Sequence, residues 1–464
     1  MKKIIYIAAV LLCCTSVQAF AYGGTYGEYT LAPDTPSSAE QKPGSETPAY
    51  EDWQAHFQAT GIYQAYPSFS ADYSGPESLN SAGQQRHTDT ATAFLGARVW
   101  NGGELYFNPE FAQGIGFDNT FGVAGFPNGD AEKSGGYTGR VIGERLFIRQ
   151  TFGLGGETEN IESDQNQLAG AKDISRITFT LGKLAANDIF DNNSYSHDPR
   201  TQFMNWALMD SGAWDYPADA RGYTYGAVAE LNQKNWALRY GAFTENQVPN
   251  GKVVNPHGFD SLGNVVELEE RYKLNEMPGT TRFLVFLNSA RMGTFSDALD
   301  TASTTGENVN TAIAATRKYG NIKYGFAINA EQKLTDDLGA FTRISWNNGQ
   351  TEDWSFTNID QSLAVGLSLQ GKRWGRDDDT VGLAGVINGI SKDQQDFLSD
   401  GGLGILIGDG KLNYCLESIL ETYYSYKITS YLSVTPDYQF VLNPAYNQDR
   451  GPVSIFSGRL HVEF

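Results

Sequence analysis

The side chains richest in hydrogen-bonding chemistry lie together in one stretch, residues 186–221. This stretch mixes carboxylates, amides, two arginines and one histidine with six aromatic residues, and it shows no sustained period of 2 or 3.6. Disordered linkers are poor in aromatic residues, so we expect this long loop to pack against other parts of the molecule and to serve a function. Its candidate ligand contacts are Asp191, Asn192, Asn193, His197, Asp198, Arg200, Trp206, Trp214, Asp215 and Arg221.

Catalytic and metal chemistry find no support in the sequence. The five histidines show no H-E-x-x-H spacing, and there is no G-x-S-x-G nucleophile motif. A glycine-rich run at Gly401 to Gly410 lacks the Lys-Ser/Thr end of a phosphate-binding loop. We therefore predict no catalytic residue, no metal ligand and no cofactor.

The elements around the loop read as β-strands throughout. From Trp53 onward, segments of roughly ten to fourteen residues alternate apolar with polar or small residues, which is typical of strands that cross an outer membrane. Sixteen such segments predict an all-β fold, a 16-stranded antiparallel up-and-down transmembrane β-barrel. The predicted strands are 53–66, 89–100, 103–113, 140–153, 175–185, 222–231, 234–244, 264–273, 280–290, 317–331, 336–347, 360–371, 379–391, 416–427, 430–441 and 452–464.

The lengths of the connections support this count. Long and short connections alternate, as they do in barrels with short periplasmic turns and long external loops. Only the link from Gly153 to Ile174 breaks the alternation, because it is long where a short turn is expected. The last strand ends in Phe464, and a terminal aromatic residue resembles the signal that the barrel assembly machinery binds.

Strand parity identifies the charged side chains that face the lumen. Arg145 and Arg149 share one face of one strand, so they need acidic partners, which the aspartates of the loop could supply. The alternative is that these residues only make the lumen polar, as in every such barrel. The tryptophans of the loop are equally open to two interpretations, packing on the wall or contact with a ligand. The inward-facing set is Arg98, Glu104, Glu110, Arg145, Arg149, Arg239, Arg343 and Glu421.

The amino-terminal region predicts export. Residues 1–21 have a charged start, a short apolar run and small residues near position 19, which is the layout of a cleaved signal peptide. Residues 22–52, rich in Pro, Ser, Thr and Glu, are expected to be a flexible periplasmic leader, and residues 53–464 the barrel. A formal net charge of -20 argues against nucleic acid as a partner, because phosphate binding needs a basic face.

Several strings of residues resemble the carbohydrate-selective porin family, OprB type. They include G-E-L-Y-F-N-P-E (Gly103 to Glu110), R-L-F-I-R-Q-T-F-G-L-G-G-E (Arg145 to Glu157), the loop from Phe190 to Asp219, and N-P-A-Y-N-Q-D-R-G-P-V-S (Asn443 to Ser454). The similarity runs from about residue 60 to the end of the chain. The leader has no counterpart in it.

This resemblance implies a bacterial outer-membrane barrel that passes mono- or disaccharides by diffusion, with one loop folded inward as a constriction. Sugars are neutral and rich in hydroxyls, so charged side chains and aromatic faces suit their selection. A general or cation-preferring porin is the alternative within the class, and an outer-membrane barrel enzyme or a plugged structural barrel is the alternative outside it. The expected surroundings are outer-membrane lipid, and the assembly is either a homotrimer or a monomer.

Overall fold

We describe a computed structural model that covers residues 50–131, 135–256 and 260–464. The predicted signal peptide, most of the predicted leader and His257 lie outside these described residues.

The described residues form the predicted closed barrel. Sixteen antiparallel strands follow one another around it, and β1 pairs with β18 to close the sheet, for example at Gly61 opposite Leu460. A separate two-stranded sheet is formed by β5 and β6. The strands are β1 Trp53–Tyr66, β2 Gln84–Trp100, β3 Gly103–Gly114, β4 Gly136–Gly153, β5 Thr158–Ile161, β6 Gly170–Asp173, β7 Arg176–Leu184, β8 Thr224–Asn232, β9 Trp236–Thr244, β10 Leu262–Leu274, β11 Met277–Met292, β12 Lys318–Lys333, β13 Leu338–Asn347, β14 Gln361–Gly371, β15 Arg376–Gly389, β16 Glu417–Thr429, β17 Leu432–Leu442 and β18 Val453–Glu463.

Alternation along each strand separates two environments. In β1, Gln54, Gln58 and Thr60 are buried inside the barrel, whereas Trp53 and Tyr63 are exposed on its outer face. The outer face of other strands carries leucine, valine and phenylalanine at exposed positions, as a surface in contact with lipid requires. The period-2 pattern therefore specifies which side chains meet lipid and which line the lumen.

Strand β2 starts earlier than its apolar pattern predicts. It begins at Gln84, which pairs with Tyr66, rather than at residue 89. The additional residues, Gln84 to Thr88, are all polar, so they give no alternation signal although their backbone continues the ladder.

The connections divide between the two ends of the barrel. The short turns and the start of β1 at Trp53 mark the periplasmic end, and the long loops lie at the external end. The external loops contain the helices α1 Trp206–Met209, α2 Phe295–Thr305, α3 Val309–Thr316 and α4 Lys392–Ser399. Single 3-10 turns lie at Phe117–Asn119, Ala186–Asp188, Lys372–Trp374 and Pro444–Tyr446. Within the described part of the chain, no helix has the length and apolar character needed to cross a membrane.

Candidate functional site: the lumen and its inner loop

Residues 185–223, here called the inner loop, connect β7 to β8 and lie inside the barrel. Phe190, Phe203, Leu208 and Ala213 of this loop are fully buried. Its polar groups bond inward-facing residues of strands on several sides of the lumen, including β3, β10, β13, β16 and β18. The loop therefore crosses the lumen rather than lying along one side of it.

Carboxylates on the wall hold the N–H groups of the inner loop. Glu421 of β16 accepts hydrogen bonds from the backbone N–H groups of Met204 at 2.6 Å and Asn205 at 3.0 Å. Glu267 of β10 accepts from Asp191 N at 2.7 Å in the same way. An irregular chain shielded from water needs a partner for each backbone group, and the inward-facing glutamates supply these partners.

Arginines on the wall hold the carbonyl groups of the same loop. Arg343 of β13 donates to Leu208 O at 2.7 Å and to Ser196 O at 2.6 Å. Arg459 of β18 donates to Pro199 O at 2.8 Å and Gln202 O at 2.7 Å. The positively charged arginines therefore bind the carbonyl groups of the loop, as the glutamates bind its N–H groups. Strand parity placed Arg343 and Glu421 in the lumen, and it also puts Arg459 on the polar face of the last strand, but neither Arg459 nor Glu267 was among the predicted lumen contacts.

Polar side chains of the inner loop tie the loop to itself, to the wall strand β12 and to a neighbouring external loop. Asp191 accepts from Ser211 N at 2.6 Å and from Asn329 Nδ2 at 2.8 Å. Asp215 accepts three backbone N–H groups, those of Trp354, Ser355 and Phe356, at 2.7 to 3.0 Å. Asn193 donates to Asn329 Oδ1 at 2.7 Å. The structure therefore gives Asp191, Asn193 and Asp215 structural partners.

Both tryptophans of the inner loop are packed in its interior. Trp206 is 3% exposed and stacks on Phe126 with ring centroids 5.1 Å apart, and Trp214 is 1% exposed. Each also contacts the ring of Tyr216. Of the two interpretations that the sequence left open, these contacts correspond to packing.

The two arginines of β4 have different partners. Arg145 forms a bidentate pair with Asp188 of the inner loop, with Nε to Oδ2 at 2.7 Å and Nη2 to Oδ1 at 2.6 Å. Arg149 instead donates to Asn166 O at 2.9 Å, near the periplasmic end. The expected pairing with an aspartate of the loop thus describes Arg145 but not Arg149, because two positions on one strand face lie at different depths in the lumen.

Arg149 contacts the link that broke the alternation of connections. Residues 154–175, here called the periplasmic hairpin, contain β5 and β6 and fold back across the periplasmic mouth of the barrel. Lys172 of the hairpin lies 3.2 Å from Glu104, which also pairs with Arg98 at 3.0 Å. Arg98 donates further to Ala169 O at 2.8 Å. Three sequence candidates, Arg98, Glu104 and Arg149, are therefore engaged with this hairpin.

The tip of the periplasmic hairpin also reaches the strands that close the barrel. The side-chain amide of Gln165 donates to Gln58 Oε1 of β1 at 3.1 Å and to Glu463 Oε1 of β18 at 2.9 Å. Gln54 of β1 donates to the backbone oxygen of Asp164 at 2.9 Å. Only the unexpected length of the link signalled this element in the sequence.

A smaller set of inner-loop groups keeps exposure to the lumen. Asn192 is exposed, and His197 and Asp198 are partly exposed. Burial, together with the nearby Arg343 charge, lowers the pKa of His197 below its ordinary value, so the imidazole is neutral at pH 7. Arg200, by contrast, is buried and pairs with Glu110 at 3.0 Å and Asp130 at 3.1 Å.

A ladder of ion pairs lines the wall from β8 to β12. Arg239 bonds Glu230 at 2.6 Å and Glu267 at 2.8 Å, and Arg282 bonds Glu269 at 2.9 Å. Sequence reasoning identified only Arg239 of this set, yet Glu267 and Glu269 lie two apart on one face of β10. Charges of both signs, held close together, offer hydrogen-bond donors and acceptors with little net field.

These features define a class of protein. A closed barrel of sixteen strands with an apolar outer face, a polar lumen and a loop folded across that lumen is an outer-membrane porin. The model of the carbohydrate-selective porin, OprB family, matches residues 84–464, and the chain belongs to this family.

Comparison with a solved OprB structure supports the same fold. OprB of Pseudomonas putida, in its high pH structure, is 15% identical, with 89% of this chain and 94% of that chain covered and a TM-score of 0.66. The outer membrane channel DcaP of Acinetobacter baumannii is 9% identical, with 89% and 97% covered and a TM-score of 0.48. A search among curated proteins found no match.

Proposed function

We propose that this porin passes mono- and disaccharides by passive diffusion and selects them by hydrogen bonding at the inner loop. The observation that supports this most is the pairing of the lumen charges. Arg145 with Asp188 and Arg239 with Glu230 place donors and acceptors side by side, and the two carboxylates keep 26% and 21% of their side-chain surface exposed. A neutral solute with many hydroxyl groups can exchange hydrogen bonds with such pairs, whereas an ion of either sign meets both attraction and repulsion.

The rigid support of the inner loop favours the same proposal. Wall carboxylates and arginines bind the loop backbone at short distances, so the groups left exposed hold fixed positions. Fixed polar groups discriminate by geometry, and weak exposed contacts allow the solute to leave. Facilitated diffusion requires both properties, because the channel must select its solute and then release it.

A general or cation-preferring porin is the main alternative. The net charge of -20 favours cations in principle. Several lumen carboxylates, however, lie within 3.0 Å of an arginine, including Glu104, Glu110 and Glu267. This pairing reduces the field that a passing cation would experience.

Single-channel recording in planar bilayers tests the proposal. We expect ion conductance that glucose, maltose or both reduce in a concentration-dependent manner, and faster swelling of proteoliposomes in glucose than in an amino acid of similar size. Equal swelling rates, with no block by any sugar in the panel, would indicate a general porin. A complete absence of conductance would instead support a barrel plugged by its inner loop.

A further inference from the structure

A cavity lies at the external end of the barrel, away from the periplasmic hairpin. It has a volume of about 500 Å³ and is formed where the loops after β1, β3, β9 and β15 meet the end of the inner loop. This volume lies in the range of small-molecule sites, which are clefts of roughly 300 to 1,000 Å³. Nothing in the sequence analysis assigned a site here except the single residue Arg221.

Basic side chains dominate the charged groups of this cavity. Arg140 of β4, Arg221 of the inner loop, Lys252 of the loop after β9 and Arg317 all line it, and Glu77 is the one acidic residue among the described lining. Arg317 is neutralised by Glu352, with contacts of 2.8 and 2.7 Å. In a chain with a net charge of -20, a cavity lined mainly by cations stands apart from the rest of the surface.

The acidic groups near the cavity do not reverse this balance. Asp219 lies close to Arg140, and its Oδ1 accepts the backbone N–H groups of Arg221 at 2.9 Å and Tyr223 at 3.2 Å. Its single negative charge is smaller than the combined positive charge of Arg140, Arg221 and Lys252. Burial raises the pKa of Glu77 to about 8, so this carboxyl is mostly protonated at pH 7. The lining is therefore positive at neutral pH.

Three buried polar atoms in the lining have no hydrogen-bond partner among the described residues. They are Nε of Arg221, Oε2 of Glu77 and Oδ1 of Asn250. Buried polar groups are normally bonded, and an unbonded one costs about 1 to 3 kcal/mol. A ligand that bonds these atoms would recover that free energy. Phe121, Ile405 and Leu406 add an apolar part to the same lining, which suits the C–H face of a sugar ring.

We propose that this external cavity is an entry site for acidic sugars, which carry a carboxylate or phosphate group. Arg221, Lys252 and Arg140 hold the anionic group, while Glu77 and Asn250 bond ring hydroxyls. The cavity therefore extends the solute range from neutral sugars to acidic ones. This inference rests on the proposed sugar-porin function.

Block of single-channel current by externally added solutes tests the inference. The probes are glucuronate, glucose 6-phosphate and glucose, and the variant is the pair Arg140→Gln and Lys252→Gln. We expect glucuronate and glucose 6-phosphate to block the native channel at lower concentration than glucose. The double variant should lose roughly tenfold in that affinity, which two partly exposed charge contacts can account for, and should keep the glucose block.

The matched control is Lys392→Gln, an exposed cation on α4 that pairs with Asp396 and does not line the cavity. It should leave all three blocks unchanged. An unchanged glucuronate block in the double variant, or an equal loss for glucose, would overturn the entry site. A native channel that glucose blocks but acidic sugars do not would also overturn it and leave the porin proposal standing. Block by no sugar at all would overturn both.

Discussion

In this lumen, acidic and basic side chains bind different backbone groups of the inner loop. Glutamates on the strands receive backbone N–H groups of the inner loop, as Glu421 does, and arginines donate to its carbonyl groups, as Arg343 does. A charged side chain reaches farther across a lumen than a backbone group does, so it can pair with a segment that belongs to no ladder. These charged residues are therefore structural supports of the inner loop.

The bidentate contact between Arg145 and Asp188 fixes the start of the inner loop. Arg145→Gln removes both bonds, at 2.7 and 2.6 Å, together with the positive charge that faces Asp188. We expect a looser loop, a higher single-channel conductance and a weaker sugar block, and the free energy of unfolding should fall by about 3 kcal/mol. Planar-bilayer recording and thermal unfolding in detergent measure these changes.

Arg149→Gln is the matched control, because Arg149 lies on the same strand face but bonds the periplasmic hairpin. It should leave sugar block at the inner loop intact. Equal effects of the two substitutions on sugar block would contradict a specific role for Arg145.

Glu77 gives the external cavity a dependence on pH. Its pKa is raised to about 8 by burial, so the carboxyl is neutral below that pH and negative above it. The groups that face Glu77 across the cavity are the basic side chains Arg140, Arg221 and Lys252, so a negative charge on Glu77 offsets part of their attraction for an anion. Block by glucuronate should therefore weaken as pH rises from 7 to 9. Glu77→Gln should remove this dependence, and a pH dependence that survives in that variant would assign it to another group.

At the level of elements, the sequence predicted the strands well and the contacts of the loops poorly. A strand between lipid and a polar lumen must alternate apolar and polar side chains, so neighbouring residues alone reveal it, as in β1. Parity also placed Arg98, Arg145 and Arg149 in the lumen. It did not reveal that Arg98 and Arg149 bond the periplasmic hairpin, because depth along the barrel and the path of a distant link are not local properties.

The inner loop shows the same limit more strongly. Its aromatic residues predicted packing, which the burial of Phe190 and Phe203 shows. Its partners Glu421 and Arg459 lie more than two hundred residues away in the chain, and no periodicity encodes such a pairing. The exposed remainder, including Asn192 and His197, could be identified only once the buried part was known.

Removal of the periplasmic hairpin tests its share in narrowing the channel. Leu154 N and Ser175 O are 2.9 Å apart, so an Asn-Gly turn can replace residues 156–173 and still join β4 to β7. We expect a higher ion conductance, because the mouth loses the segment that Arg98, Glu104 and Arg149 bind, while sugar block at the inner loop persists. Native conductance in the shortened chain would show that the hairpin does not limit flow. Proper folding of the variant is verified by its heat-dependent mobility on a gel.

At the scale of the whole molecule, the net charge of the chain does not give the charge along the path of a solute. The chain carries -20, yet the lumen pairs its carboxylates with arginines and the external cavity is lined mainly by cations. We therefore expect weak selectivity between K⁺ and Cl⁻, measured as a small zero-current potential across a KCl gradient. A strong preference for cations would contradict the pairing and favour the general, cation-preferring alternative.

The side chain of Gln165 bonds both the first and the last strand of the barrel. It bonds Gln58 near the start of the barrel and Glu463 at its last strand, while Phe464 pairs with Phe57 beside them. These residues come together only when the first and last strands meet along the closing seam. The bond between Gln165 and Glu463 therefore forms only once the first and last strands are paired, so the hairpin completes its set of contacts when the barrel closes.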